Sequence, residues 1–106
     1  MKTLRISLSE AAIADILEQS DWYEAQADRK LAKRWEKAVT STLLRISRGP
    51  RAGTPCNFSA AELRGARRVS GAGFPRHLVF YQPYRDEIVV LRIVHGGRDL
   101  ESLFPA

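Results

Sequence analysis

The chain has 106 residues and a mass of 11.9 kDa, with 44% hydrophobic and 27% charged residues. That length fits one domain spanning residues 1–106, and the mix excludes wholesale disorder. Seventeen Lys and Arg against twelve Asp and Glu leave a formal charge of +5, which favours an acidic partner. A single cysteine, Cys56, excludes an internal disulfide and a multi-cysteine zinc site, and fits a reducing compartment. No apolar run approaches the ~18 residues of a membrane span, and residues 1–7 lack the apolar stretch of a signal peptide. A small, basic, intracellular domain is expected.

Residues 3–8 alternate, with Leu4, Ile6 and Leu8 on one side and Thr3, Arg5 and Ser7 on the other, which predicts a strand with one buried face. Ser9 is a good N-cap, and Ser7 with Glu10 forms a rival capping box, so a helix begins near residue 9 or 10. Ala12, Ile13, Ile16, Leu17, Ser20 and Tyr23 make one apolar stripe. A second stripe runs Leu31, Trp35, Ala38, Val39, Thr42, Leu43, Ile46, with Asp28 as its N-cap. The short polar link between them predicts an antiparallel helical hairpin. Trp22, Tyr23 and Trp35 are assigned to core or hairpin packing.

Gly49-Pro50 stops the second helix, and residues 49–60 read as a loop. Three strands follow. Residues 67–70 form a short one, ended by the turn Gly71-Ala72-Gly73. Residues 76–82 are apolar at nearly every position, as in a strand covered on both faces. After a turn at 83–86, residues 87–95 are β-branched and nearly continuous. Gly96-Gly97 ends that strand, and the tail 98–104 is read as one helical turn. The order β-α-α-β-β-β defines an α+β fold, a helical hairpin packed on a small, mostly antiparallel sheet.

Charge is unevenly placed. Residues 28–51 hold eight Lys or Arg against Asp28 and Glu36, a balance of +6, so the remainder sums to −1. The first helix is acidic and the second basic, which predicts ion pairs between the hairpin arms. No lysine follows Lys37, and arginine's planar fork suits carboxylate or phosphate contacts.

His77, His95 and Cys56 match no metal spacing, so neither a metal site nor a cofactor is expected. Cys56 has no context of a thiol nucleophile, and the glycine pairs precede no long helix that could cradle phosphate. What remains is a cluster from the sheet and its rim: Arg64, Arg67, Arg68, Arg76, Arg92 and Arg98, with Tyr81, His77 and His95. Arg92 interrupts an apolar strand. With the helices over Leu91 and Ile93, it is expected on the open sheet face beside Ile88, Val90 and Arg68.

The run Gly73-Phe74-Pro75-Arg76-His77-Leu78-Val79-Phe80-Tyr81, followed by Asp86 to Asp99 with its "LRIVHGGRD" stretch, resembles the C-terminal signature of ParE-type toxins. These belong to the RelE/ParE superfamily of type II toxin–antitoxin systems. Leu8-Ser9-x-x-Ala12-x-x-Asp15-Ile16 and Gly49-Pro50-Arg51-Ala52-Gly53 are similar to that family's start and mid-chain loop. The resemblance covers essentially the whole chain and has the same element order. It implies a bacterial cytoplasmic toxin, neutralised by a cognate antitoxin whose acidic C-terminal segment wraps it.

The superfamily divides by target. RelE-like members cleave messenger RNA on the ribosome with an Arg/Lys cluster and a C-terminal Tyr or His, whereas ParE-like members lack that set and poison DNA gyrase. Here no tyrosine follows Tyr84, so gyrase poisoning by binding, without catalysis, is the expectation. The alternative is a ribosome-dependent endoribonuclease using Arg68, Arg92, His95 and Arg98. Arg64, Arg67, Arg68, Arg76, Tyr81, Arg92, His95, Arg98 and Asp99 are the candidates for target or antitoxin contact. Neither membrane association nor sequence-specific nucleic-acid binding is expected, since no helix reads as a groove reader.

Overall fold

A computed structural model describes the chain from Leu4 to His95. Strand β1 (Arg5–Leu8) leads into helices α1 (Glu10–Gln26) and α2 (Arg29–Arg48). A two-residue strand β2 (Thr54–Pro55) and a 3-10 turn (Ala61–Leu63) follow, then β3 (Arg67–Gly71), β4 (Phe74–Pro83) and β5 (Glu87–His95). The sheet order is β1-β5-β4-β3-β2. β1 runs parallel to β5, and every other pairing is antiparallel. This is the expected α+β fold, with β2 added where a loop was expected: Thr54 and Pro55 pair with Arg68 and Arg67 at the sheet's far edge.

The helix starts follow side-chain chemistry. Ser9 Oγ accepts from the Ala12 amide at 3.0 Å and Asp28 Oδ1 from the Leu31 amide at 2.8 Å, each satisfying an otherwise orphaned donor. Gly49 closes α2 with its amide on the Arg45 carbonyl at 3.1 Å. At the β3–β4 turn Gly73 has φ +77°, a left-handed conformation that a side chain disfavours.

The hairpin covers one face of the sheet. Trp35, Val39 and Ile46 of α2 and Ala12 of α1 pack on Val79, Tyr81, Ile88, Val90 and Ile93. α1 contributes a narrow seam, Ala12, Ile16, Ser20 and Tyr23, while Ile13 and Leu17 remain exposed. Those two lie a quarter-turn from the seam, so the expected stripe was too wide. Trp22 also faces outward, 56% exposed, whereas Trp35 is 1% exposed. The opposite face is not open. Residues 56–64 fold over it: the Phe58 ring lies 6.0 Å from Phe80, and Gln82 Nε2 donates to the Glu62 and Arg64 carbonyls at 3.0 and 2.7 Å.

A bulge sets the phase of β5. Phe80 pairs with Arg92 but Tyr81 pairs with Val90, so Leu91 is the extra residue. Ile88 and Val90 therefore face the helices together with Ile93, while Arg92 faces the other way. The expected grouping of Arg92 with Ile88 and Val90 is thus wrong, because strict period-two alternation fails across the bulge.

Candidate functional site

The register brings Arg68 and Arg92 into one cross-strand row, since each pairs with Phe80 from opposite sides. They share a face, as expected, but the buried Phe80 ring stands between them. Arg92 does not lie over an open surface. Its guanidinium reaches the second turn of α1 and donates from Nε to Asp15 Oδ2 at 2.8 Å and from Nη2 to Oδ1 at 2.9 Å. Asp15 Oδ2 also accepts the Ile93 amide at 2.9 Å, so the carboxylate caps the β5 edge beyond the end of β1. The hydrogen bonds to Asp15 hold the Arg92 guanidinium charged more firmly than usual, against the opposing effect of burial.

His95 pairs with His77, and the His77 ring lies among the helix-side aromatics, so His95 is on the face opposite Arg92. The two imidazoles meet edge to face at 5.5 Å. His77 is buried: its ring is 4.6 Å from that of Trp35, and Nε2 shares a 2.9 Å hydrogen bond with Tyr23 Oη. Burial pulls the His77 pKa below the ordinary imidazole value, and His95 lowers it further. Burial raises the Tyr23 phenol. Beside this pair an open cleft of about 700 Å³ is walled by Trp22 and Glu18 of α1 and by Phe74, Pro75 and Arg76 of β4, with His95 at its edge.

Two other candidates are structural clamps. Tyr81 is fully buried; its hydroxyl donates to the Pro50 carbonyl at 2.8 Å and accepts the Gly53 amide at 3.1 Å. Arg67 donates to the Arg51 and Gly53 carbonyls at 3.1 and 2.7 Å. Together they hold the chain that leaves α2. Arg64 sits exposed after the 3-10 turn and offers its carbonyl to Gln82. Arg68 lies beside Cys56; burial raises the thiol pKa, and the Arg68 contact partly offsets this. Arg98, Asp99 and the tail lie outside the described residues.

The described members of the candidate ribonuclease set therefore do not converge. Arg68 and Arg92 flank Phe80, and His95 looks out from the other face. Sequence reasoning named Asp15 only within the run similar to the family's start and gave it no partner, and it placed Tyr23 in packing alone, whereas its phenol partners a residue 54 positions away. Among the described residues no group of three His, Cys, Asp or Glu side chains could hold a metal ion. No described helix is long and apolar enough to cross a membrane.

The hairpin's charges are less cross-paired than expected. The ion pair between its arms is Glu24–Arg29 at 3.6 Å, while Ser20 Oγ donates to Glu36 at 2.5 Å. Among the described residues no carboxylate comes within 4 Å of Lys30, Lys33, Arg34, Lys37 or Arg48. A cationic stripe stays on the outer surface of α2.

Comparison with known proteins fits this architecture. Residues 6–100 match the family model described as the ParE toxin of the type II toxin–antitoxin system parDE. A solved structure entitled "Chromosomal ParDE TA system from P. aeruginosa" superposes with a TM-score of 0.70 at 15% identity, covering 88% of this chain and 96% of that one. No functionally curated protein matches in sequence. An α+β toxin fold without a converged catalytic cluster among its described residues is the class defined by these observations. The chain belongs to the ParE toxin family of type II toxin–antitoxin systems.

Proposed function

We propose that this toxin acts by binding DNA gyrase and trapping its cleaved-DNA state, and that an antitoxin with an acidic segment neutralises it in the bacterial cytoplasm. The observation that carries this reading is the dispersal of the catalytic candidates. Phosphodiester cleavage needs a general base and a cationic stabiliser within about 3 Å of the reacting atoms. Arg92 instead holds Asp15, and His95 occupies the opposite face. A toxin built this way acts through its surface. The cleft at Trp22, Arg76 and His95 is the described surface we assign to target contact, because an exposed indole beside a cation is the kind of anchor that dominates protein interfaces. The unpaired cations of α2 favour an acidic antitoxin.

The test is a supercoiling and cleavage assay with purified gyrase. Loss of supercoiling with accumulation of cleaved DNA, reversed by antitoxin, is expected. No effect at micromolar excess of folded, antitoxin-competent toxin, combined with cleavage of ribosome-bound message, would move the protein to the endoribonuclease class.

A further inference from the structure

Helix α2 has two sides of opposite character. Trp35, Val39 and Ile46 are buried against the sheet. On the other side Lys30, Lys33, Arg34, Lys37, Ser41 and Arg48 are all exposed. At about 3.6 residues per turn these six fall within an arc of about 100°, and the five cations span about 27 Å from Lys30 to Arg48. Among the described residues no carboxylate comes within 4 Å of any of the five. Glu36 is the one acid in α2. It lies about a third of a turn from the stripe and accepts the Ser20 hydroxyl of α1.

This charge is held in a line. α2 is a helix of 20 residues without glycine or proline, capped by Asp28 at its start and closed by Gly49 at its end. Its cations sit on long flexible stems above a backbone that the core fixes in place. A duplex presents about one phosphate charge per 1.7 Å of its axis, so a straight cationic rod meets several phosphates at once and releases their counterions.

We infer that the outer side of α2 binds the phosphate backbone of duplex DNA without reading its sequence. Base reading is excluded by the packing. A major groove about 12 Å wide takes a helix that projects from its domain, whereas α2 is flanked by α1 and the sheet. Contact is therefore made at the height of the backbone, with Ser41 as a further hydroxyl donor to phosphate. A lipid surface fits less well. The apolar side of α2 is already buried in the core, and Leu44 is the one large apolar side chain that the helix exposes. Duplex binding of this kind needs no gyrase; where gyrase is the target, it holds the toxin to the DNA that the enzyme cleaves. The cations proposed above to favour an acidic antitoxin are the same ones, so antitoxin and duplex compete for α2.

The experiment uses the full chain alone, without antitoxin or gyrase. A fluorescently labelled duplex of about 30 base pairs and mixed sequence is titrated by anisotropy between about 50 and 200 mM NaCl. Micromolar affinity is expected at the low-salt end, with log K falling against log salt at a slope of about −4, the value for four to five neutralised phosphates. Lys33→Gln combined with Lys37→Gln should reduce that slope by about 2 and weaken low-salt binding by about 10-fold or more. Both positions are exposed and glutamine is a comparable helix former, so the fold is retained, which circular dichroism checks. Arg85→Glu, in the exposed β4–β5 turn outside α2, changes the net charge by the same amount and should keep the wild-type slope. Equal losses in the two variants would make binding a response to net charge and overturn the inference. So would an unchanged slope in the α2 variant, or no duplex binding at low salt. A single-stranded RNA of the same length that displaces the labelled duplex at lower concentration than unlabelled duplex does would also overturn it, by assigning the surface to RNA. Gyrase is absent from the assay, so each of these failures leaves the gyrase reading intact.

Discussion

Asp15, on the second turn of α1, chelates the Arg92 guanidinium through both carboxylate oxygens and takes the Ile93 amide as a third donor. The side chains are 10% and 19% exposed, so the pair ties the hairpin to β5 where β1 no longer covers that strand. An arginine that interrupts an apolar strand is thereby a structural strut, and its removal is expected to have a conformational consequence.

Arg92→Ala leaves the Asp15 carboxylate without its cation in a largely buried setting. We expect a loss of about 2–4 kcal/mol, because breaking one side of such a pair strands the other charge. Asp15→Leu combined with Arg92→Met should lose less than Arg92→Ala or Asp15→Ala alone. Urea unfolding of the three variants checks this, and additive losses would contradict the strut.

The His77 environment makes stability depend on pH. Its folded-state pKa lies below the unfolded value, so the folded chain binds fewer protons near that pH. The contribution is fully present above an unfolded pKa of about 6.5 and declines as pH falls from there towards the depressed folded value. The urea midpoint should therefore drop between pH 7.5 and pH 5.5 in the wild type. The drop should be smaller in His77→Gln, which also loses some stability at pH 7.5 through the bond to Tyr23.

Gly53 sits where a side chain has no room. A Cβ there would run into the Tyr81 hydroxyl and lie 3.0 Å from the Arg68 carbonyl. Gly53→Ala should cost about 1–3 kcal/mol through overpacking. Tyr81→Phe should cost about 1–3 kcal/mol by leaving the Pro50 carbonyl and Gly53 amide unpartnered. Since the second change removes the clashing atom, the double variant should be clearly less destabilised than the sum, as thermal or urea unfolding will report.

The two tryptophans should separate cleanly. Trp35→Ala opens the core and should cost about 3–5 kcal/mol, whereas Trp22→Ala should change stability by less than about 0.5 kcal/mol. If Trp22 is a target anchor, its alanine variant keeps its unfolding midpoint but loses gyrase inhibition. An unaltered inhibition curve would remove Trp22 from the contact surface.

The architecture was legible in the sequence because it is written in local signals. Ser9 and Asp28 cap the helices they were expected to cap, Gly49-Pro50 ends α2, and the β-branched run 87–95 is β5 residue for residue. These depend on neighbours a few positions away, where propensity, capping and periodicity act. The family resemblance rested on the same local runs, and the family match covers them.

What the tertiary structure decided is where side chains meet, and the reasons are geometric. The bulge at Leu91 inserts one residue and turns Ile88 and Val90 under the helices, so alternation could not assign the face of Arg92. α1 buries a narrow seam because the sheet and α2 take only that strip of its circumference, which leaves Ile13 and Leu17 outside. Pairings such as Asp15 with Arg92, Tyr23 with His77 and Tyr81 with Gly53 span 77, 54 and 28 positions. No periodicity carries across such distances; only packing the hairpin and the 49–55 segment on the sheet sets these partners within a hydrogen-bond length of each other.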